Sequence, residues 1–453
     1  MNTFLRGGVS FFDDQKSQTS HKPIERFVPK EVTIPLSQHL GEPARPIVAR
    51  KQKVMRGDCI GEAVSGGVTT GGTPIHASVT GTVKRVALQP HPLLVESLAV
   101  VIETDPNAAE TVWEEVPGWM DLPKGKMLEQ IASAGIVGLG GAQFPTYRKL
   151  KLPEGVKVDT LILNGAECEP YLTSDHRLLL EMSLEVLQGA KLIAKILGVS
   201  KILIGIEENK KDAADVLRIA ITKQHTSPSP KVVLCQTRYP QGSEKQLIEA
   251  LTGRVVPPGK LPMHVGVMVQ NVATAVACYQ AIRYRRPLLD RILTVSGKGI
   301  LEPKNVSVPI GTLVSDIVTF CGGIHQRTNK VIVGGPMMGR ALGRLDIPVI
   351  KGTGGLLFLR AEEVRKEIYG PCISCGRCLE ACPLGLEPNQ ISIYTEAGRS
   401  LDTESFGTKE CFECGSCAYV CPAVRPLVQF IQIAKKSFQT GSQFGLARPE
   451  QNL

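Results

Sequence analysis

The chain has 453 residues, of which 43% are hydrophobic and 21% charged, and its formal net charge is +9. This composition is that of an ordinary globular protein with room for about three domains, and it excludes a disordered or fibrous chain. Aromatic residues make up 5% and the basic residues are dispersed, so we expect no nucleic-acid partner; the charge favours acidic partners or an anionic membrane face, or is simply that of a solvated surface.

The first segment, residues 1–115, is rich in Val, Ile, Thr, Gly and Pro in short alternating runs, which predicts a compact β domain. Residues 45–62 and 74–86 resemble the strands of a biotinyl or lipoyl carrier, a barrel-sandwich fold. Such a carrier bears its cofactor on a lysine at the hairpin tip, and the tip from His76 to Gly81 contains none. We therefore expect a structural docking domain without a swinging arm.

Residues 125–288 alternate apolar runs with amphipathic stretches, for example at 160–164, 178–197 and 201–207. This alternation predicts an α/β domain with a mainly parallel sheet, whose ligand would lie at the carboxyl ends of the strands. The longest uncharged run, residues 265–282, contains several amide and hydroxyl side chains. It therefore predicts a buried helix or a strand-helix pair rather than a transmembrane span.

A glycine-rich turn follows early in this domain, with Gly138, Gly140 and Gly141 preceding Phe144. Residues without a Cβ let main-chain amides approach a phosphate or a flat ring closely. The turn is neither a P-loop nor a clean Gly-x-Gly-x-x-Gly after a strand, and most glycine-rich loops are plain turns. On its own it is a weak indication of a ligand site.

Polar residues also follow the apolar run at 160–163, in the order Asn164, Glu167 and Glu169. The two carboxylates are suited to accept hydrogen bonds from ribityl, ribose or amide groups, and solvated loop charges explain them equally well. Further polar groups close later apolar runs at Glu244 and at 271–274. Their position at strand ends favours a shared site.

Residues 290–350 carry the strand, helix and strand signals of a small β-grasp-like (SLBB) module. Within the region that follows, residues 389–398 predict a short helix. The polar residues 437–453 predict a flexible tail.

Eight cysteines within residues 360–436 repeat the spacing Cys-x-x-Cys-x-x-Cys-x-x-x-Cys-Pro of a two-cluster ferredoxin domain. In that pattern the fourth cysteine of each repeat binds the other cluster. One [4Fe-4S] cluster is therefore assigned to Cys372, Cys375, Cys378 and Cys421, and the other to Cys411, Cys414, Cys417 and Cys382. Zinc sites and disulfides also use closely spaced cysteines, but they fit this spacing poorly. Two such clusters predict a one-electron wire.

Cysteine chemistry also bears on location. Iron-sulfur clusters require free thiols and hence reducing surroundings, and no secretory signal is evident, so we expect a cytoplasmic protein. The other cysteines are scattered in apolar or glycine-rich surroundings and are expected to be inert buried thiols. They are Cys59, Cys168, Cys235, Cys278 and Cys321.

The order Gly-x-Gly-Gly-Ala-x-Phe-Pro-Thr, Asn-x-x-Glu-x-Glu-Pro, Gly-x-Glu and Asn-Val-x-Thr is similar to the FMN- and NADH-binding subunit of respiratory complex I. With the N-terminal domain, the sequence at 334–339 and the two clusters, nearly the whole chain resembles the RnfC family, whose members belong to Rnf ion-translocating oxidoreductase complexes. The resemblance implies bound FMN and NAD(H) as substrate. It implies a cleft lined by Gly138, Gly140, Gly141, Ala142 and Phe144, and FMN hydrogen-bonded by Asn164, Glu167, Glu169, Glu244, Asn271 and Thr274.

Three residues depart from the complex I pattern. Ala166 and Ser243 replace acidic residues, and Gln143 stands where glycine is frequent. These departures imply that the flavin sits differently or binds less tightly. His176 is expected at the surface where a helix begins, since hydride transfer requires no catalytic base.

Three functions are compatible with these features. The first is a peripheral subunit at the cytoplasmic face of the inner membrane, which exchanges electrons between NAD(H) and ferredoxin. Its partners are other subunits of an Rnf-type complex, with ferredoxin or another iron-sulfur subunit, and Na⁺ or H⁺ transport occurs elsewhere. The second is a soluble NADH-dependent corrin reductase, which the extended N-terminal domain disfavours. The third is a flavin-free iron-sulfur relay.

Overall fold

The computed structural model describes residues 2–64, 71–141, 143–224, 228–366 and 368–442. Within these ranges no helix is both long and apolar enough to cross a bilayer. The strands are β1 (Ile24–Arg26), β2 (Glu31–Pro35), β3 (Arg45–Pro46), β4 (Lys53–Val54), β5 (Cys59–Glu62), β6 (Ile75–His76), β7 (Gly81–Pro90), β8 (Glu96–Thr104), β9 (Thr160–Gly165), β10 (Lys201–Glu207), β11 (Lys231–Cys235), β12 (Val267–Asn271), β13 (Asp290–Ser296), β14 (Lys304–Pro309), β15 (Thr328–Val333), β16 (Arg340–Leu342) and β17 (Gly355–Arg360). The α-helices are α1 (Lys124–Ser133), α2 (Thr146–Leu150), α3 (Ser174–Glu181), α4 (Ser183–Leu197), α5 (Lys211–Gln224), α6 (Glu244–Thr252), α7 (Val272–Tyr284), α8 (Val314–Phe320), α9 (Arg377–Ala381), α10 (Pro388–Glu396), α11 (Ser416–Tyr419) and α12 (Leu427–Thr440).

Two antiparallel sheets, in the orders β2-β8-β7-β4 and β3-β5-β6, form the N-terminal domain. They enclose aliphatic side chains that include Val32, Ile60 and Ile102. Between β6 and β7 the hairpin tip is buried, and the hydroxyl of Ser78 donates a 2.6 Å hydrogen bond to the carbonyl of Ile310. The tip is docked on the β-grasp-like module, which agrees with a structural domain that has no swinging arm.

The predicted parallel sheet is present in the order β11-β10-β9-β12, with every neighbouring pair parallel. Helices cover both faces, so the middle of β9 is apolar: Leu161 and Leu163 face one core and Ile162 faces the other. At the carboxyl end of the sheet, Asn164 of β9 lies in register with Asn271 of β12. The sheet therefore brings together polar residues that are distant in sequence.

A six-stranded sheet in the order β1-β14-β13-β17-β15-β16 forms the β-grasp-like module, against which α8 packs. Its edge strand β1 comes from the N-terminal segment and pairs in parallel with β14. Its strand β17 lies between β13 and β15. The sheet thus includes strands from both sides of residues 290–350.

From Cys372 onward, the described part of the cysteine-rich region contains four α-helices and two 3-10 helices, Ser400–Phe406 and Thr408–Glu410. The short helices α9 and α11 carry Cys378 and Cys417 and each begins after a glycine, while α10 and α12 pack on each other. Helix α10 confirms the short helix predicted at 389–398. Helix α12 continues to Thr440 and buries Ser437, so it extends into the segment predicted to be a tail. The rest of that segment, residues 443–453, lies outside the described residues.

Residues 2–20 form an N-terminal strap that crosses three parts of the fold. Asn2 pairs with the end of β11. The N–H of Gly8 donates a 2.9 Å hydrogen bond to the carbonyl of Ala381 in the cysteine-rich region. The side chain of Gln18 accepts a 3.2 Å hydrogen bond from the N–H of Gly297 in the β-grasp-like module. The strap therefore connects all three.

Candidate functional site

The glycine-rich turn is a closed loop at the carboxyl end of the parallel sheet. The N–H of Gly138 donates to the carbonyl of Phe144 at 2.9 Å and closes the turn. Leu139 is held on both sides: its N–H donates to the hydroxyl of Thr274 at 3.0 Å, and its carbonyl accepts from the guanidinium of Arg291 at 2.9 Å. Thr274 and Arg291 are both buried. The loop backbone is consequently fixed by α7 and β13.

Gly140 and Gly141 form the exposed apex of this loop. Their main-chain N–H groups have no hydrogen-bond partner among the described residues. A Cβ on Gly140 would lie 2.8 Å from the amide nitrogen of Asn271, whereas a Cβ on Gly141 would have nothing within 4 Å. Two neighbouring free amides on exposed backbone suit an anionic group or the edge of a flat ring. Phe144 is 37% exposed on the same loop, and Ala142 lies outside the described residues.

Asn164 and Glu167 shape the loop that follows β9. The amide of Asn164 donates a 2.7 Å hydrogen bond to the carbonyl of Gly242. The carboxylate of Glu167 accepts from the N–H groups of Asp175 and His176, at 2.7 and 3.0 Å, at the start of α3. A carboxylate can accept further hydrogen bonds, so these contacts leave Glu167 able to bind a flavin as well. That contact stays a prediction.

Glu169 connects the same loop to residues 334–339. Its carboxylate accepts hydrogen bonds from the N–H groups of Met337 and Met338, at 3.1 and 2.9 Å. Burial raises the pKa of Glu169 to about 7, while these two bonds and the charge of Lys16 oppose the shift. The carbonyl of Met337 would lie 2.7 Å from a Cβ on Gly415. The segment that Glu169 binds, which includes Met337, therefore packs directly on the cysteine-rich region.

Asn271 caps α7 and binds a buried carboxyl group. Its side-chain oxygen accepts from the N–H of Ala273 at 2.8 Å, and its amide donates to the carboxylate of Asp175 at 2.7 Å. Burial and then the charge of Glu167 raise the pKa of Asp175 to about 6, while Arg291 opposes the shift. Asn271 thus already has internal partners on both ends of its amide.

Glu244 is the first residue of α6 and Ser243 is the residue that precedes the helix. The carboxylate of Glu244 pairs with the ammonium of Lys149 at 2.6 Å, and both side chains are partly exposed. Because Lys149 lies in α2, directly after the glycine-rich loop, this pair lies at an accessible edge of the site.

Two of the residues that depart from the complex I pattern, Ala166 and Gln143, pack against other parts of the protein. The prediction that His176 lies at the surface is wrong. Ala166 is fully buried. Gln143 has a left-handed backbone with φ 55°, and its carbonyl accepts a 3.2 Å hydrogen bond from Leu40 of the N-terminal domain. His176 lies at the start of α3 as predicted, but it is buried rather than at the surface, because α5 packs on α3 and Asp212 of α5 bonds the ring at 2.8 Å.

Four cysteines line one cavity in the C-terminal region. They are Cys372, Cys375, Cys378 and Cys421, the set predicted from crossed ligation. The loop bends toward the cavity at Ser374 and Gly376, which have φ values of 54° and 76°. Cys375 is exposed, so this group lies near the protein surface.

The other four cysteines also lie together. The pKa of Cys411 is raised to about 11, mainly by burial. The nearby thiols of Cys414 and Cys382 act in the same direction, while the N–H of Glu413 and the charge of Lys435 oppose the shift. Burial is the largest cause that raises the pKa of Cys414 and of Cys417, and the nearby Cys382 acts in the same direction. The Sγ atoms of Cys382 and Cys411 each accept a main-chain N–H hydrogen bond at 3.3 Å, a contact that tunes a cluster's potential.

A buried tyrosine joins the second cysteine group to the flavin-side loops. The phenol of Tyr239 donates a 2.6 Å hydrogen bond to the main-chain carbonyl of Cys414. The sulfur of Cys168 accepts from the N–H of Gly242 at 3.3 Å, and Cys168 belongs to the same apolar cluster as Tyr239 and Cys414. The group containing Cys414 is therefore the one in contact with the loop after β9.

Three charged residues of this site are not predicted from the sequence. They are Lys16, Asp175 and Arg291. Lys16 reaches the loop after β9 from a position 151 residues earlier in the chain. No local pattern signals such a contact. A weak signal exists for Arg291, which directly precedes the apolar pair Ile292 and Leu293, and for Asp175, which stands at a helix start.

The donor groups fit both predicted cofactors. Two groups of four thiols match two [4Fe-4S] clusters. The free amides at Gly140 and Gly141 fit a phosphate or ring edge of FMN. The carboxylates around them hold the surrounding loops in place.

Four family models match successive parts of the chain. They are the RnfC barrel sandwich hybrid domain at residues 3–107, the Nuo51 FMN-binding domain at 131–280, the SLBB domain at 292–341 and the 4Fe-4S dicluster domain at 371–424. This order agrees with the fold class predicted from the sequence. The two N-terminal sheets and the parallel sheet lie within the first two matches, whereas the six-stranded sheet also includes β1 and β17, which lie outside the SLBB match.

Three relatives are similar over most of their length. The C subunit of the proton-translocating ferredoxin:NAD(+) oxidoreductase complex of Clostridium ljungdahlii is 44% identical, over 95% of this chain and 93% of the relative. Its counterpart in the Na(+)-translocating ferredoxin:NAD(+) oxidoreductase complex of Acetobacterium woodii is 42% identical, over 90% and 91%. The corresponding subunit of the ion-translocating oxidoreductase complex of Rhodobacter capsulatus is 39% identical, over 95% and 82%.

A solved structure shares the fold at lower similarity. The air-oxidised NAD+-reducing [NiFe]-hydrogenase has a chain that superposes with a TM-score of 0.50 and 22% identity. The match covers 64% of this chain and 54% of that one. It supports the fold alone.

Proposed function

Because this chain belongs to the RnfC family of ion-translocating oxidoreductase subunits, we propose that it is the electron-input subunit of such a complex. In this function it transfers electrons between NAD(H) and ferredoxin through FMN and two [4Fe-4S] clusters. The complexes named for the relatives translocate protons or sodium ions. Ion translocation itself belongs to partner subunits of the complex.

The main structural support for this function is the contact between the loop after β9 and the cysteine group that contains Cys414. Tyr239 bonds the carbonyl of Cys414 at 2.6 Å, and Glu169 bonds the segment that packs on Gly415. A flavin held at the glycine-rich loop would therefore lie beside loops that contact this cysteine group. The other cysteine group, with exposed Cys375, faces outward and is accessible to a partner protein.

The chain supplies binding and orientation. FMN, when bound, exchanges a hydride with NAD(H) and single electrons with the clusters. We assign the cleft to Gly138, Gly140, Gly141, Ala142 and Phe144, and polar contacts with FMN to Asn164, Glu167, Glu169, Glu244 and Asn271. Thr274 is fully buried and acts by holding Leu139. Iron ligation belongs to the two cysteine groups described above.

We place the protein peripherally, at the cytoplasmic face of the inner membrane. NAD(H) and free cluster thiols both belong to the reducing interior of the cell. Its partners are the other subunits of the complex, together with ferredoxin or another iron-sulfur subunit. The relatives named above favour this function over a corrin reductase, since all three are subunits of ion-translocating complexes.

The test is anaerobic purification of the chain with FMN and iron quantified, followed by addition of NADH under a spectrophotometer. Bleaching of both the flavin and the broad iron-sulfur absorbance is expected. Clusters without flavin, or no response to NADH, would leave the flavin-free relay as the function.

A further inference from the structure

The loop after β9 contains two residues in backbone conformations that their side chains disfavour. Glu167 has φ 46° and Tyr171 has φ 67°. Residues other than glycine adopt such conformations rarely, and they retain them where the surrounding structure enforces them. Strained residues of this kind cluster at ligand clamps, and this loop carries two of the predicted FMN contacts.

The enforcing structure is the N-terminal strap, residues 2–20. The ammonium of Lys16 donates hydrogen bonds to the main-chain carbonyls of Glu167 and Glu169, at 2.9 and 2.7 Å, and to that of Leu172. The carbonyl of Asp14 accepts a 2.8 Å hydrogen bond from the N–H of Tyr171. The strap thus fixes the main chain at both strained residues.

Lys16 is buried, with 7% of its surface exposed. Burial and then the charge of Lys210 lower its pKa, while the carboxylates of Glu167 and Glu207 oppose the shift. Its recorded hydrogen-bond acceptors are carbonyl oxygens of one loop. A buried ammonium is costly unless such bonds compensate its lost hydration, so this lysine and this loop conformation stabilise each other.

We propose that Lys16 is a positioning residue of the flavin site. Its ammonium holds residues 167–172 in the conformation that FMN requires, and it acts through the main chain without touching the flavin. The inference rests on the proposed function, since it concerns the FMN that this loop is assigned to bind. It makes a segment near the N-terminus part of a site built mainly from the α/β domain.

The experiment uses the full chain with its clusters intact, freed of flavin, and FMN as the probe. Fluorescence quenching gives the FMN dissociation constant, and hydrogen exchange reports on residues 166–172. Lys16→Met is expected to weaken FMN binding about tenfold or more, because charge-assisted hydrogen bonds are lost, and to speed exchange in this loop. Lys22→Met is the matched control, since Lys22 lies just beyond the strap and donates to the carbonyl of Pro303 at 2.8 Å, away from this loop. It should change neither measurement.

Equal FMN affinity and exchange in Lys16→Met and the wild-type chain would overturn the inference, as would an equal loss in Lys22→Met. Absence of FMN binding by the wild-type chain would instead defeat the proposed function. If Lys16→Met fails to fold, Lys16→Gln keeps hydrogen-bond donors without the charge. Wild-type affinity in that variant would refute a requirement for the ammonium, and an intermediate loss with normal iron content would support it.

Discussion

The phenol of Tyr239 donates a 2.6 Å hydrogen bond to the main-chain carbonyl of Cys414, in a site where Tyr239 is 2% exposed. Tyr239 precedes the segment that bonds Asn164 through Gly242, and Cys414 belongs to one of the two cysteine groups. The same bond therefore couples the proposed flavin site to the proposed cluster. Phe11 of the N-terminal strap packs beside Tyr239, with ring centroids 5.8 Å apart.

Replacing Tyr239 with Phe tests this coupling. The ring is retained, but a buried carbonyl loses its partner, so we expect a loss of about 1–3 kcal/mol of stability. Thermal unfolding of the anaerobic protein should show a lower midpoint, with iron content unchanged. Tyr419→Phe is the control, because Tyr419 also contacts Phe11 but is 44% exposed. An equal midpoint in both variants would contradict a stabilising role for the phenol of Tyr239.

Crossed ligation predicts which pairs of cysteine changes are equivalent. Cys421→Ser and Cys372→Ser affect the same cluster, so the double variant should keep about as much iron as either single variant, near half the wild-type content. Cys421→Ser with Cys411→Ser should lose almost all of it. Iron analysis and low-temperature electron paramagnetic resonance measure both. The reverse result would mean that each repeat of the motif binds its own cluster.

One substitution at the apex of the glycine-rich loop should affect ligand binding without affecting stability. A Cβ on Gly141 would meet nothing within 4 Å, so Gly141→Ala should unfold at the wild-type midpoint. The added methyl group stands where a ligand would approach the free amides, and we expect weaker binding of FMN or NADH. Titration of the flavin-free and flavin-loaded chain measures the two affinities. Gly343→Ala, whose Cβ also has nothing within 4 Å, should bind like the wild type; matching affinities for Gly141→Ala would exclude Gly141 from the cleft.

The fold class follows from the sequence, because it depends on local spacing and periodicity, whereas the crossed ligation of the eight cysteines stays a prediction. The hydrogen-bond partners of the polar residues do not follow from the sequence. Glu167 and Asn271 are predicted to bond FMN, and the structure adds that their side chains accept hydrogen bonds from the starts of α3 and α7, contacts that depend on how helices meet strands. The ammonium of Lys16 bonds main-chain carbonyls that lie 151 to 156 positions away in sequence, so this contact appears only once the chain has folded.

A second buried lysine lies on the other side of the glycine-rich loop. Lys351 is 1% exposed, and its ammonium donates to the carbonyls of Gly135 and Pro74, at 2.6 and 3.3 Å. Burial lowers its pKa to about 7. The neighbouring His39 and His76 have pKa values lowered to about 4 and about 3, by burial first and then by Lys351. These histidines are therefore neutral above about pH 6.

Lys351 should make stability rise with pH. In the unfolded chain a lysine keeps its proton to about pH 10.4, whereas in the folded chain Lys351 loses it above about 7. Between these values the unfolded state binds more protons, so the free energy of unfolding increases as pH rises. Lys351→Met removes this contribution, and its stability relative to wild type should be highest near pH 6.5 and decline toward pH 9.5. Thermal midpoints of both proteins across this range measure the difference, and parallel curves would show that Lys351 keeps its proton when the chain is folded.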